Sequence, residues 1–166
     1  MDRLHKQFPH KLPEGSIIFS VDVTNLYGNI PTSEGIAATV KLIEKHADKI
    51  DTFGMTLTDI EKLLKHCLSN NYFRFGKNYY NQTDGVAMGS RIAPPLAIVF
   101  MDAVESLFLA PENSQLQPIT YMRYIDDILG IWTHGSEALD EYFGFLNDFH
   151  PALKFTIDRT DKTQNK

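Results

Sequence analysis

The chain of 166 residues is 43% hydrophobic and 11% aromatic, enough for one globular domain with a real core. No apolar run reaches the roughly eighteen residues that a bilayer span needs, and "MDRLHKQFPHKLPEG" lacks the apolar stretch of a secretory leader. A net charge of −5 weighs against duplex binding through a basic face, and the single Cys67, lying in a helical pattern, excludes an internal disulfide and reads as a buried thiol in a reducing compartment.

In chain order, "SIIFSVDV" (Ser16 to Val23) is rich in β-branched and aromatic residues after Pro13 and Gly15, which predicts a strand. Past Pro31, Thr32 or Ser33 is placed to cap a helix with Ile36, Val40 and Ile43 on one stripe. Thr58 and Glu61 have the spacing of a capping box for a second helix carrying Ile60, Leu63, Leu64 and Leu68. "YFRFGKNYYNQ" is aromatic on both sides of Gly76-Lys77-Asn78, a hairpin pattern. Pro94 to Ala110 reads as a long, mostly buried helix that prolines open and Pro111 ends. "ITYMRYI" and "ILGIW" follow as strands. "EALDEYFGFLNDFH" is an amphipathic helix with Leu139, Tyr142, Phe143 and Leu146 inward, Leu153 to Asp158 is a last strand, and "RTDKTQNK" reads as a frayed end.

Between the two late strands stand Asp126 and Asp127, inside an apolar run whose Ile125, Ile128, Leu129 and Ile131 press toward a core. Adjacent like charges there cost several kcal/mol unless a tight turn lifts them into water or a cation holds them. Setting aside the helices and hairpin between Thr32 and Gln82, the core order is strand, helix, strand, strand, helix, strand. That is a split βαβ arrangement, an α+β fold with an antiparallel sheet and helices on one face. Right-handed crossovers make the first two core strands parallel, so the third pairs beside the first and the hairpin turn meets the end of "FSVDV". Asp22, Asp126 and Asp127 should therefore converge. A divalent cation is the natural relief, because magnesium takes carboxylate oxygens together with substrate phosphates. Asp22 and Asp126 suit bridging two such ions, with Asp127 as a third ligand, in phosphoryl transfer.

"SVDVTNLYGNIP", "QTDGVAMGSRIAPPLAIVFM" and "MRYIDDILGIW" resemble, in that order, the A, B and C motifs of reverse transcriptases. They are most similar to those of Penelope-like retroelements, whose "HPxLKFT" segment matches HPALKFT at His150 to Thr156. The resemblance spans Phe19 to Thr156. It implies a single polymerase palm over residues 1–166, with part of the fingers between 32 and 82. It also implies an RNA-directed DNA polymerase using two Mg2+ ions, or Mn2+, with an RNA template, a DNA primer and dNTPs as partners. Carried over, Asp22, Asp126 and Asp127 are catalytic and, with Val23, form the metal set. The Asn25 and Leu26 amides touch the incoming triphosphate, and Tyr27 sits under the sugar, where it clashes with a ribose 2′-OH. Met88 and Gly89 border the nucleotide, and Lys154 resembles a lysine that protonates leaving pyrophosphate. Gly89, Ser90, Arg91 and Tyr124 face nucleic acid, Gly89 by letting it approach the backbone. Arg123 is a candidate strut for the hairpin through charge-assisted bonds.

The sequence departs from the wider family at Met88-Gly89, where many members have Gln-Gly, and at Arg91, where a small or apolar residue is common. The resemblance places the triphosphate-gripping fingers before Met1 and the thumb after Lys166, leaves the 166-residue chain inactive or weakly active alone, and implies an intracellular, nuclear setting without a membrane. Rival functions are an RNA-binding module stacking bases on Tyr121, Tyr124 and Trp132, a non-catalytic scaffold, and an RNA-synthesising palm. Carboxylates at positions 22, 126 and 127 disfavour the first, intact aspartates the second, and bulky Tyr27 the third.

Overall fold

In the computed structural model, residues 11–110, 112 and 116–161 are described. The elements follow in chain order as β1 (Ile17–Val23), α1 (Leu26–Asn29), α2 (Thr32–Lys45), α3 (Leu57–Ser69), β2 (Tyr72–Phe75), β3 (Asn78–Asn81), α4 (Ala93–Phe108), β4 (Thr120–Tyr124), β5 (Asp127–Trp132), α5 (Ser136–Phe149) and β6 (Phe155–Arg159). β2 and β3 form a separate two-stranded hairpin, and the other strands form one antiparallel sheet in the order β4-β5-β1-β6. β1 and β4, each antiparallel to β5, run parallel without touching. This is the split βαβ order that the sequence predicts.

Period-two alternation fixes which face is covered. Ile17, Phe19, Val21 and Val23 of β1 are buried while Ile18, Ser20 and Asp22 are exposed. On the buried side α4 and α5 supply Leu96, Phe100, Val104, Phe108, Leu139, Tyr142 and Leu146 to a single core. Trp132 lies against Tyr142, and Phe108 meets both Tyr121 and Phe149 edge to face. The opposite face is open around Ile18, Leu129 and Tyr124.

Several expectations shift. The capping box is Thr56 with Asp59, not Thr58 with Glu61: Thr56 has extended dihedrals and its oxygen accepts from the Asp59 amide at 3.2 Å, while Asp59 reaches back to the Thr56 amide at 3.1 Å. Thr58, already helical, cannot cap. Pro31 rather than Thr32 or Ser33 is the N-cap of α2, and no side chain caps it. Cys67 is exposed and Leu63 is 52% exposed, because α3 packs through Leu64 and Leu68 alone. Leu129 stands on the open face, across from Ser20. β6 extends to a buried Arg159, which pairs with Asp140 at 2.8 Å and Asp161 at 2.7 Å instead of fraying. Pro111, the expected stop of α4, and residues 162–166 lie outside the described residues.

Gly130 marks the tightest fit in the sheet. A Cβ there would run into the ring of Phe19, its partner across β1. Gly130→Ala should therefore overpack the core and lower unfolding free energy by about 1–3 kcal/mol, read as a lower urea midpoint; an unchanged midpoint would mean that the Phe19 ring moves aside freely.

Candidate catalytic site at the sheet edge

β1 and β5 pair in a register that sets Asp22 directly opposite Asp127. Asp127 in turn lies across from Tyr124, so only Ile125 and Asp126 form the β4–β5 turn. Asp127 is thus the first residue of β5 rather than a turn residue. The Val23 amide donates to the Asp126 carbonyl at 3.1 Å, which ties that turn to the end of β1. The structure therefore brings Asp22, Val23, Asp126 and Asp127 to one sheet edge. Asp22 and Asp127 are exposed and Asp126 is half-buried, so the turn does carry the carboxylates to water.

The turn is strained. Ile125 has φ 56, a left-handed conformation at a position where two-residue hairpins favour glycine, and for a β-branched residue this is a genuine outlier. Such strain costs on the order of 1–3 kcal/mol and persists only where surroundings over-determine it. Arg123 does so: its Nη1 donates to the Ile125 carbonyl at 3.1 Å and its Nε to Glu105 at 2.6 Å. Both ionic side chains are about nine-tenths buried, at 10% and 11% exposed. The Tyr121 hydroxyl also donates to Glu105, and burial, reinforced by that carboxylate, raises the phenol well above its usual pKa. The strut role expected of Arg123 is present, while Glu105 and the unusual Ile125 backbone were missed. An acidic residue in α4 and an isoleucine in a strand-rich stretch carry no sequence signal for either role.

On the other side of Asp22, Asn25 adopts a left-handed conformation (φ 49) at the start of the short α1. Leu26 is buried, and Tyr27 is half-buried against the core. The Tyr27 carbonyl accepts from the Val86 amide at 2.7 Å, fastening the loop before α4 onto α1. Gly85 makes that approach possible. It is buried with φ +69, and a Cβ would strike the Gly28 and Tyr27 carbonyls. This contact between the first and second motifs was also missed, although glycines stand in both.

Beyond it Met88 is 73% exposed, and Gly89, at φ +89, has open space where a Cβ would be. The Ser90 amide donates to the Ala87 carbonyl at 3.1 Å, and Arg91 is exposed beside Thr39, Leu64 and Pro95. Tyr124 is 77% exposed next to the carboxylates. The Lys154 ammonium donates to the Asn147 carbonyl at 2.7 Å, at the end of α5.

The donor set is all hard oxygen, which fits a magnesium-like ion that retains waters and shares its shell with phosphate. Among the described residues no three His, Cys, Asp or Glu side chains, Asp22, Asp126 and Asp127 included, are gathered closely enough to hold a metal ion by themselves. Open carboxylates completed by substrate are a different kind of site, and this edge has the residues for one.

Three solved structures share this architecture. The telomerase of Candida albicans in complex with a TWJ fragment of telomeric RNA has a TM-score of 0.69 at 14% identity, over 99% of this chain and 30% of that one. The apo telomerase of Candida tropicalis, truncated from its C-terminal domain, has 0.63 at 11% identity, over 99% and 34%. The RNA-dependent RNA polymerase of BmCPV at its elongation state has 0.62 at 12% identity, over 89% and 15%. The fold is that of a polymerase palm. The chain spans about a third or less of each of these proteins. No protein-family model and no curated protein matches it. Among the described residues no helix of this palm is long and apolar enough to cross a membrane.

The strut supplies a test. Arg123→Met should leave Glu105 buried without its cation and cost about 3–5 kcal/mol of stability, while Glu105→Leu combined with Arg123→Met should recover most of that loss. Equal losses in the single and double variants, measured by urea unfolding, would rule out a coupled pair.

Proposed function

We propose that the chain is the catalytic palm of an RNA-directed DNA polymerase of a retroelement, closest in kind to Penelope-like elements. The observation that carries this reading is the register placing Asp22 opposite Asp127, with Asp126 in the turn between β4 and β5, on a polymerase-palm fold. In this reading residues 32–82 belong in part to the fingers, and the natural setting is the nucleus.

Asp22, Asp126, Asp127 and the Val23 carbonyl would hold two Mg2+ ions, with Mn2+ as a substitute. Bound there, such a pair lowers the barrier to in-line displacement by stabilising both the attacking primer 3′-oxygen and the leaving pyrophosphate oxygen. The chain's own residues do the positioning. The Asn25 and Leu26 amides, at the start of α1 where no helix carbonyl precedes them, would meet triphosphate oxygens. Tyr27, its carbonyl tied to the Val86 amide, would lie beneath the sugar, where its ring would leave no room for a 2′-OH. Gly89 leaves its side open to a base pair, with Met88 at the border. Ser90, Arg91 and Tyr124 line the approach of template and primer. Lys154 would reach pyrophosphate as a proton donor only after releasing the Asn147 carbonyl.

The acidic edge also weighs against the RNA-stacking module. Asp22, Asp127 and Asp158 all lie on the open face, where phosphate would be repelled unless cations intervene.

The reading is tested by primer extension with the polypeptide carrying this palm together with its fingers and thumb. Asp126→Asn should cut kcat/KM by at least about 100-fold, the upper end of what loss of even a supporting group at a metal site costs. Tyr27→Val should leave dNTP use largely intact and raise the rNTP-to-dNTP ratio of kcat/KM, because exclusion by overlap responds to side-chain size. An unchanged ratio in an active Tyr27→Val enzyme would remove the main support for DNA over RNA synthesis.

A further inference from the structure

The β2–β3 hairpin is the least protein-like surface of the molecule. All of its residues are exposed on both faces. Phe73, Phe75 and Tyr80 share one face, and Tyr72, Arg74 and Tyr79 share the other. Phe75 is 76% exposed, Tyr79 74% and Tyr72 68%. A two-stranded hairpin is marginal in water by itself; this one is held by the Phe73–Tyr80 stack, with ring centroids 5.6 Å apart, and by a bond from the Gln82 amide to the Asn71 carbonyl at 2.8 Å.

The composition says what such a surface suits. The chain is acidic overall, at −5, yet Lys62 to Thr83 contains no Asp or Glu while carrying Lys62, Lys65, Arg74 and Lys77. Lys65 pairs with Glu61 at 2.7 Å and Lys62 lies within electrostatic reach of Asp59, which leaves Arg74 and Lys77 on the hairpin itself. From Tyr72 to Asn81 there is no Leu, Ile, Val or Met; every apolar side chain is a flat ring, interleaved with Asn, Arg and Lys. Rings interleaved with cations are the make-up of a platform for unpaired bases, and a stretch without carboxylates in an otherwise acidic chain complements phosphate. Position agrees. Gln82, at the base of the hairpin, leads directly into the loop that Gly85 and Val86 fasten to Tyr27.

We infer that the β2–β3 hairpin binds single-stranded RNA, stacking unpaired bases on Tyr72 and Tyr79, which share the face of Arg74, with Arg74 and Lys77 against the phosphates. The identity of that strand as incoming template rests on the polymerase reading above; the binding itself does not.

The test uses the 166-residue chain in EDTA, with a labelled twelve-nucleotide uridine RNA followed by fluorescence anisotropy at low salt. Tyr72→Ala with Tyr79→Ala should weaken binding by about 10-fold or more without lowering the melting temperature, since both rings are exposed. Arg74→Gln with Lys77→Gln should flatten the slope of log Kd against log salt by about 1.4, the roughly 0.7 per phosphate contact of single strands. Asp22→Asn with Asp126→Asn should leave binding intact, which separates this site from the catalytic edge. Wild-type affinity in the Tyr72, Tyr79 variant overturns the inference, as does absence of binding by the wild-type chain. Unchanged RNA binding together with loss of self-association on size exclusion would assign the hairpin to a second copy of the chain instead.

Discussion

Everything at the candidate site depends on one juxtaposition of like charges, Asp22 directly across from Asp127 in neighbouring antiparallel strands. Opposite charges in that relation stabilise a sheet by roughly 0.2–1 kcal/mol, and like charges reverse the sign. Exposure to water softens the repulsion without removing it. The fold accepts this cost and adds a second one, the left-handed Ile125 that turns Asp126 beside its neighbour. Both are held in place from the buried side of the sheet, where Glu105, Tyr121 and Arg123 form a charged network reaching the Ile125 carbonyl. In the proposed reading, a sheet edge that brings carboxylates together against their own repulsion, on strained backbone with ionic support beneath, would serve cations that arrive with substrate.

The same logic of backbone held in unusual conformations recurs on the nucleotide side. Asn25 is left-handed at the start of α1, and Gly85 is left-handed where the loop before α4 presses on the Tyr27 and Gly28 carbonyls. These contacts make one rigid ledge of two segments distant in sequence. In the proposed mechanism that ledge fixes the sugar against Tyr27, so discrimination rests on a ring whose main chain cannot recede.

How much of this was legible depended on the physics involved. The split βαβ order could be read because strand alternation, helix periodicity and crossover handedness are strong constraints, and they sufficed to bring Asp22 to the β4–β5 turn. Details that local preference governs weakly went astray. The capping box slipped by two residues because Thr56–Asp59 and Thr58–Glu61 have the same spacing, and only the backbone decides between them. Leu129 was assigned inward because an apolar run hides its alternation. Cys67 was read as buried, yet α3 is covered along Leu64 and Leu68 and leaves Cys67 exposed. Arg159 looked like part of a polar tail, yet its partner Asp140 becomes a neighbour only once α5 and β6 pack. Ile125 was beyond reach, because tertiary bonds override what its side chain prefers.

The central claim is that the edge formed by the end of β1 and the β4–β5 turn holds divalent ions. Substoichiometric Mn2+ added to the 15N-labelled chain measures this directly, because the paramagnetic ion broadens amide signals near where it binds. The account predicts selective loss of the Asp22, Val23, Asp126 and Asp127 signals, reversed by excess Mg2+ and absent in Asp126→Asn. Broadening centred on another acidic cluster, or identical broadening in Asp126→Asn, would contradict it.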